Sequence, residues 1–141
     1  TSPKGVTIGI SSDISFESGS ANTKPGFLVI LKKIVPTIQE SYNMLAIEGH
    51  TDSDQLPKAL LARYPSNWEL SGARASAVVR LLIGLDVDPV RLQSVGYGEF
   101  VPRDKNTAEI ITADLIQKYN SNPQQKARNR RVEITFLAPN L

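Results

Sequence analysis

Cysteine is absent from the 141 residues. That excludes disulfides, thiolate nucleophiles and cysteine-based zinc sites, and it fits a periplasmic or a cytosolic compartment equally. Long apolar runs are absent as well. None approaches the ~20 residues needed to span a bilayer, and no signal peptide is visible. The chain opens at Thr1 without Met, so we expect it to belong to a longer protein whose membrane anchor or export signal lies outside it. Charge of one sign is scarce, with a formal net charge of only +2. The one basic cluster, "KARNRR" from Lys126 to Arg131, is short, and the aromatic residues do not interleave with it. No nucleic-acid partner is expected on these grounds. "SGSA" and "GYGE" carry small residues, but neither forms a phosphate-binding loop or a dinucleotide fingerprint. They read as turns, or as loops whose N–H groups accept a carboxylate.

What is present suits one globular domain with a real core, spanning 1–141, at 40% hydrophobic and 21% charged residues. "GVTIGI" (Gly5 to Ile10) reads as a first strand, and "SFESGSANTKPG" as a loop. Leu28, Leu31, Val35 and Ile38 recur at helical spacing over Pro25 to Ser41, although Pro36 predicts a kink or an early end. "MLAIEGH" is a second strand. "SNWE" sets Ser66 at an N-cap with Glu69 three residues on, opening a helix that runs to Ile83, with Gly84 at its C′ position. Arg91 to Tyr97 reads as a third strand. A polar insertion over about 107–127 holds one short helix at Ala108 to Tyr119. In "RVEITF", Val132, Ile134 and Phe136 alternate with Arg131, Glu133 and Thr135, the pattern of a half-buried strand. The order βαβαββ predicts a two-layer α/β sandwich, a mixed sheet with helices on one face.

"AIEGHTDSD", Ala46 to Asp54, ends a strand on the only His and an acid pair. His50 and Asp52 alternate along an extended segment and so share a face. Catalysis would need a nucleophile and a base, yet no Gly-x-Ser-x-Gly elbow is present. One His with scattered carboxylates lacks the ligand spacing of a metal site. We therefore expect no catalytic residue, no metal and no cofactor. The second long helix carries an anomaly. Leu70, Ala73, Ala77, Val78 and Leu81 form an apolar stripe, and Arg74 lies inside it. A guanidinium facing a core is costly unless it is paired or opens into a pocket. Asp52 is its candidate partner. The two could bind each other, or Arg74 could grip a ligand carboxylate while Asp52 takes the ammonium; a structural salt bridge or a snorkelling Arg is the plainer alternative.

The ordered set "SFESGSA", "IEGHTD", "YPSNWELSGARASAVVRLL", "VGYGEFVPRDKN" and "NRRVEI" resembles the OmpA-like peptidoglycan-binding domain over nearly the whole chain. "YPSNWELS" after "GHTD" is similar to the flagellar stator branch, MotB and its sodium-driven relative PomB. The resemblance implies non-catalytic binding of the peptidoglycan stem, typically through diaminopimelate, at Asp52 and Arg74. Thr51, Phe16, Asn129 and Arg130 would be further contacts. It also implies a periplasmic domain of an inner-membrane protein, a homodimer and a MotA-like partner. The rival within the family is the anchor of another envelope system, an outer-membrane protein or lipoprotein. Two departures from the family pattern are the 107–127 insertion, which could cover the pocket or serve a partner, and the long segment Ser53 to Tyr64, a candidate dimer contact or lid.

Overall fold

The computed structural model describes residues 4–138. Four strands, β1 (Lys4–Ser11), β2 (Leu45–His50), β3 (Leu92–Gly96) and β4 (Arg131–Leu137), form one mixed sheet in the order β1-β4-β2-β3. β4 runs antiparallel to both of its neighbours, and β2 and β3 are parallel. β1 and β2, joined by a helical crossover, are thus separated by the last strand of the chain. The helices are α1 (Ser12–Ser15), α2 (Pro25–Gln39), α3 (Asn67–Gly84), α4 (Ala113–Lys118) and α5 (Pro123–Asn129). No helix among the described residues is long and apolar enough to cross a membrane.

The core lies between the sheet and the two long helices. Ile8, Ile134 and Ile47 stand side by side across three strands, under Phe27, Leu31 and Ile38 of α2 and Ala75, Val78 and Leu82 of α3. Each fully buried aliphatic side chain contributes roughly 1.5–3 kcal/mol. The next row across the sheet ends in Gly49 and Gly96, paired with each other. A Cβ at Gly49 would collide with the Ser71 carbonyl, and one at Gly96 with the Gly72 backbone. These two glycines let α3 lie directly on the sheet, which sets the depth of Arg74.

Several expectations change in detail. α2 runs through Pro36, which sits in the last turn where only one helical bond is lost, and it stops at Gln39. The buried face of α3 includes Ser71, Ala75 and Leu82, while Ala73 and Leu81 are half-buried. Gly84 is the last helical residue, and the left-handed position falls two residues later on Asp86 (φ 72°). The Val87 N–H bonds the Leu82 carbonyl at 3.0 Å and Val87 is buried, so a Schellman-type close is set by the apolar residue that follows. The insertion forms two helices, the second started by Asn122 as N-cap and Pro123 at N1. β4 is buried on both faces, Arg131, Glu133 and Thr135 included, because it is a central strand whose charges pair sideways.

Candidate functional site

β2 ends at His50, and the next residues turn into a cleft of about 440 Å³. Thr51 is held by its N–H to the Gly98 carbonyl at 2.9 Å and gives its hydroxyl to the Asp52 carbonyl. Asp52 turns its side chain into the cleft, where Oδ1 accepts the Asp54 N–H at 2.9 Å. Asn67, near the start of α3, donates to the Asp52 and Asp54 carbonyls. The first residue of α3 thus ties the helix to this turn, next to the Ser66 cap, which accepts the Trp68 N–H and bonds Glu69.

Arg74, on the third turn of the α3 face, is 5% exposed. Its Nε donates to the Ser20 carbonyl at 2.8 Å, and its guanidinium lies 5.1 Å from the Phe16 ring centre. Burial lowers its pKa, and Asp13 is the leading charge that opposes this. Arg74 and Asp52 both line the cleft, but among the described residues no ion pair joins them. Arg130 takes that place. Its Nη1 donates to Asp52 Oδ2 at 2.6 Å, while Nε and Nη2 reach the two oxygens of Asp13 at 2.9 and 3.1 Å. Asp13 first, then Asp52, raise the Arg130 pKa.

Of the residues singled out in the sequence, Phe16, Thr51, Asp52, Arg74 and Arg130 line one cleft. Asn129 does not. It is buried behind the rim, accepting the Arg103 N–H and donating to the Tyr119 carbonyl and Asn120 Oδ1. Asn120 in turn accepts the Ser53 N–H, and Lys126 pairs with Asp54 at 2.9 Å. The insertion thus buttresses the cleft from behind. The segment after Asp54 packs on the opposite rim, where the Tyr64 hydroxyl accepts the Ala21 N–H and Gln55 and Leu56 line the cleft. Asp13 was missed because it lies in an unpredicted one-turn helix and meets Arg130 from 117 positions away. No local pattern signals that.

His50 and Asp52 do not share a site. The chain turns between them, and His50 sits on the sheet face away from α3. Its Nε2 lies 3.9 Å from Glu133 Oε1, and its ring stacks on Tyr97 at 5.1 Å. Glu48 accepts from Thr135 at 2.9 Å and Tyr97 at 3.3 Å, and Glu133 accepts from Arg131 at 2.6 Å. Burial, then Glu48, raise the Tyr97 pKa. Carboxylates scattered in sequence thus converge. Glu48, His50 and Glu133 bring one ligand atom each within 4.8 Å of one another, the donor types of a divalent-cation site. The Arg131 guanidinium already neutralises Glu133 there. The cations of "KARNRR" are likewise engaged, Lys126 with Asp54, Arg128 with Asp104, Arg130 with Asp13 and Asp52, and Arg131 with Glu133.

A family model described as the OmpA family matches residues 15–114. YtxE of Bacillus subtilis is 33% identical over 94% of this chain and 48% of its own length. Motility protein B of Escherichia coli is 41% identical over 57% of this chain and 26% of its own. The chain spans about half the length of the first curated relatives it matches. Among solved structures, the cell wall anchor of the T6SS from Pseudomonas aeruginosa aligns with a TM-score of 0.75 and 33% identity, over 94% of this chain and 81% of that one. The periplasmic domain of Helicobacter pylori MotB aligns at 0.77 and 25% identity, over 97% and 78%.

Proposed function

The chain belongs to the OmpA family, and on that premise we propose that it is a non-catalytic cell-wall anchor whose cleft binds the diaminopimelate-type peptide stem of peptidoglycan. The observation that carries this reading is that a buried Arg74, hydrogen-bonded only through Nε to Ser20, and the Asp52 carboxylate line one open cleft without bonding each other. Arg74 keeps its terminal nitrogens for a bidentate carboxylate, and Asp52 suits an ammonium. Phe16 lies against the guanidinium at 5.1 Å, within cation–π range. Thr51 and Arg130 complete the contacts, and Asn129 acts from behind the rim. Each charge-assisted hydrogen bond contributes on the order of 1.5–3 kcal/mol, and a ligand repeated over the wall turns weak single sites into firm anchorage through avidity.

The relatives support a flagellar role. The domain would sit in the periplasm as part of a longer, inner-membrane stator protein that works as a homodimer beside a MotA-like subunit. A second reading, an anchor for another envelope system, is favoured by the T6SS anchor's likeness and by a 29% identity to the probable lipoprotein YiaD of Escherichia coli over 93% of this chain.

Cosedimentation with purified peptidoglycan tests the site. The parent should pellet with the wall and release no soluble muropeptides, while Asp52→Ala and Arg74→Ala should stay in the supernatant with their far-UV circular dichroism unchanged. If both variants pellet like the parent, the cleft is not the ligand site. Loss of swimming, without loss of envelope integrity, on deletion of the full-length gene separates the stator from the rival anchor.

A further inference from the structure

We propose that Asp13 is a specificity-determining residue of the cleft. It holds Arg130 against Asp52 as an internal cation, so that only a ligand bringing both an ammonium and a carboxylate can enter without leaving a charge unpaired. The inference rests on the cleft being the ligand site, as read above. Each oxygen of Asp52 already accepts one hydrogen bond. Oδ1 accepts the Asp54 N–H, which the local turn holds in place, and Oδ2 accepts Arg130 Nη1. An incoming ammonium must therefore use the remaining lone pairs beside Nη1, and it weakens the hold on Nη1 or displaces it.

Arg130 does not leave when this happens, because its other two contacts form a fork on Asp13, the geometry in which Arg–carboxylate pairs are strongest. Asp13 is itself positioned by its N–H on Ser11 Oγ, the cap of α1. Arg130 and Arg74 line the same cleft, so a ligand carboxylate can bridge a loosened Nη1 and the terminal nitrogens of Arg74. An amine alone would draw Asp52 away from Nη1 and offer it no other acceptor. A carboxylate alone would find Asp52 still paired and only Arg74 open. The ligand class that completes the exchange is an amino-acid head group, ammonium and carboxylate on one carbon, rather than a terminal amine such as a lysine side chain. Asp13 acts through Arg130 and is a positioning residue.

Titration calorimetry at low salt, with two synthetic stem tripeptides differing only in diaminopimelate or lysine at the third position, tests this on the parent, Asp13→Asn and Asp13→Glu. The parent should prefer the diaminopimelate peptide by about tenfold, the worth of one charge-assisted contact. Asp13→Asn should lose most of that preference, with its melting temperature unchanged because the Asp13 side chain is half exposed, and Asp13→Glu should restore much of it. An Asn variant with the parent's affinity and preference would reduce Asp13 to a surface ion pair and overturn the inference alone. A parent that binds both peptides equally would also overturn it. A parent that binds neither would overturn the cleft reading and this inference together.

Discussion

Arg130 and Arg131 are neighbours in the chain, and each forms ion pairs with acids brought from elsewhere in the fold, yet they leave the backbone in opposite directions and meet different dielectrics. Arg130 faces the cleft with 31% of its side chain exposed, and Arg131 lies against the sheet with 7% exposed. Their pKa values move oppositely. Asp13 and Asp52 raise that of Arg130, and burial lowers that of Arg131 more than Glu133 raises it. A pair in contact with water can exchange partners at little cost. A pair sealed by Asn129, Val101 and Glu133 cannot, because any opening leaves a charge in a medium that does not solvate it. The same residue type is therefore open to partner exchange in one place and architectural in the next, and solvent access decides which.

Breaking the sealed pair should have the largest effect on stability. Arg131→Ala or Glu133→Ala should cost about 3–5 kcal/mol in urea unfolding, as removal of one partner strands the other. Arg130→Ala should cost under about 1 kcal/mol while weakening wall binding. The reverse ranking would sink the distinction. Gly49→Ala sharpens it from another side. The added methyl pushes α3 off the sheet, so it should cost about 1–3 kcal/mol by overpacking and also lower wall binding by displacing Arg74. Unchanged binding would mean that the helix depth does not set the cleft.

The smallest effect belongs to Asp104, whose exposed carboxylate receives the Arg128 fork and is held below the usual carboxylate range by it. A depressed folded-state pKa stabilises above the ordinary value near ~4 and is lost as pH falls through the folded value. Asp104→Asn should therefore shift the melting temperature only at the edge of detection at neutral pH, and not at all in strong acid. A large neutral-pH shift would show that an open pair can be architectural after all.

Much of this was legible along the chain. The Ser66 cap with Glu69 started α3 where expected, and Arg74 stood out as a guanidinium inside an apolar stripe. Asp52 followed from being the acid at the end of a strand adjoining that helix. The structure brings Asp52 and Arg74 into one cleft, and it pairs Asp52 with Arg130 instead of Arg74. The reading of β4 failed because alternation of apolar and charged residues signals one dry face without revealing whether the other is wet. Arg131 and Glu133 are dry because they neutralise each other beside Glu48 and His50. α5 was missed although "NP" at Asn122 and Pro123 is a start signal, since the run after it has no apolar period.

Periodicity, capping residues and turn chemistry are properties of a few consecutive residues, so the strands, α3 and the odd Arg74 could be read from the chain alone. Which strand slips between β1 and β2, that both faces of β4 stay dry, and which acid meets Arg130 depend on contacts between residues 87 to 117 positions apart, such as Thr135 with Glu48 and Arg130 with Asp13. Those contacts are chosen only when burial and charge pairing are satisfied together in three dimensions, and Asp13, exposed and unremarkable in its own segment, acquires its place at the cleft at that step.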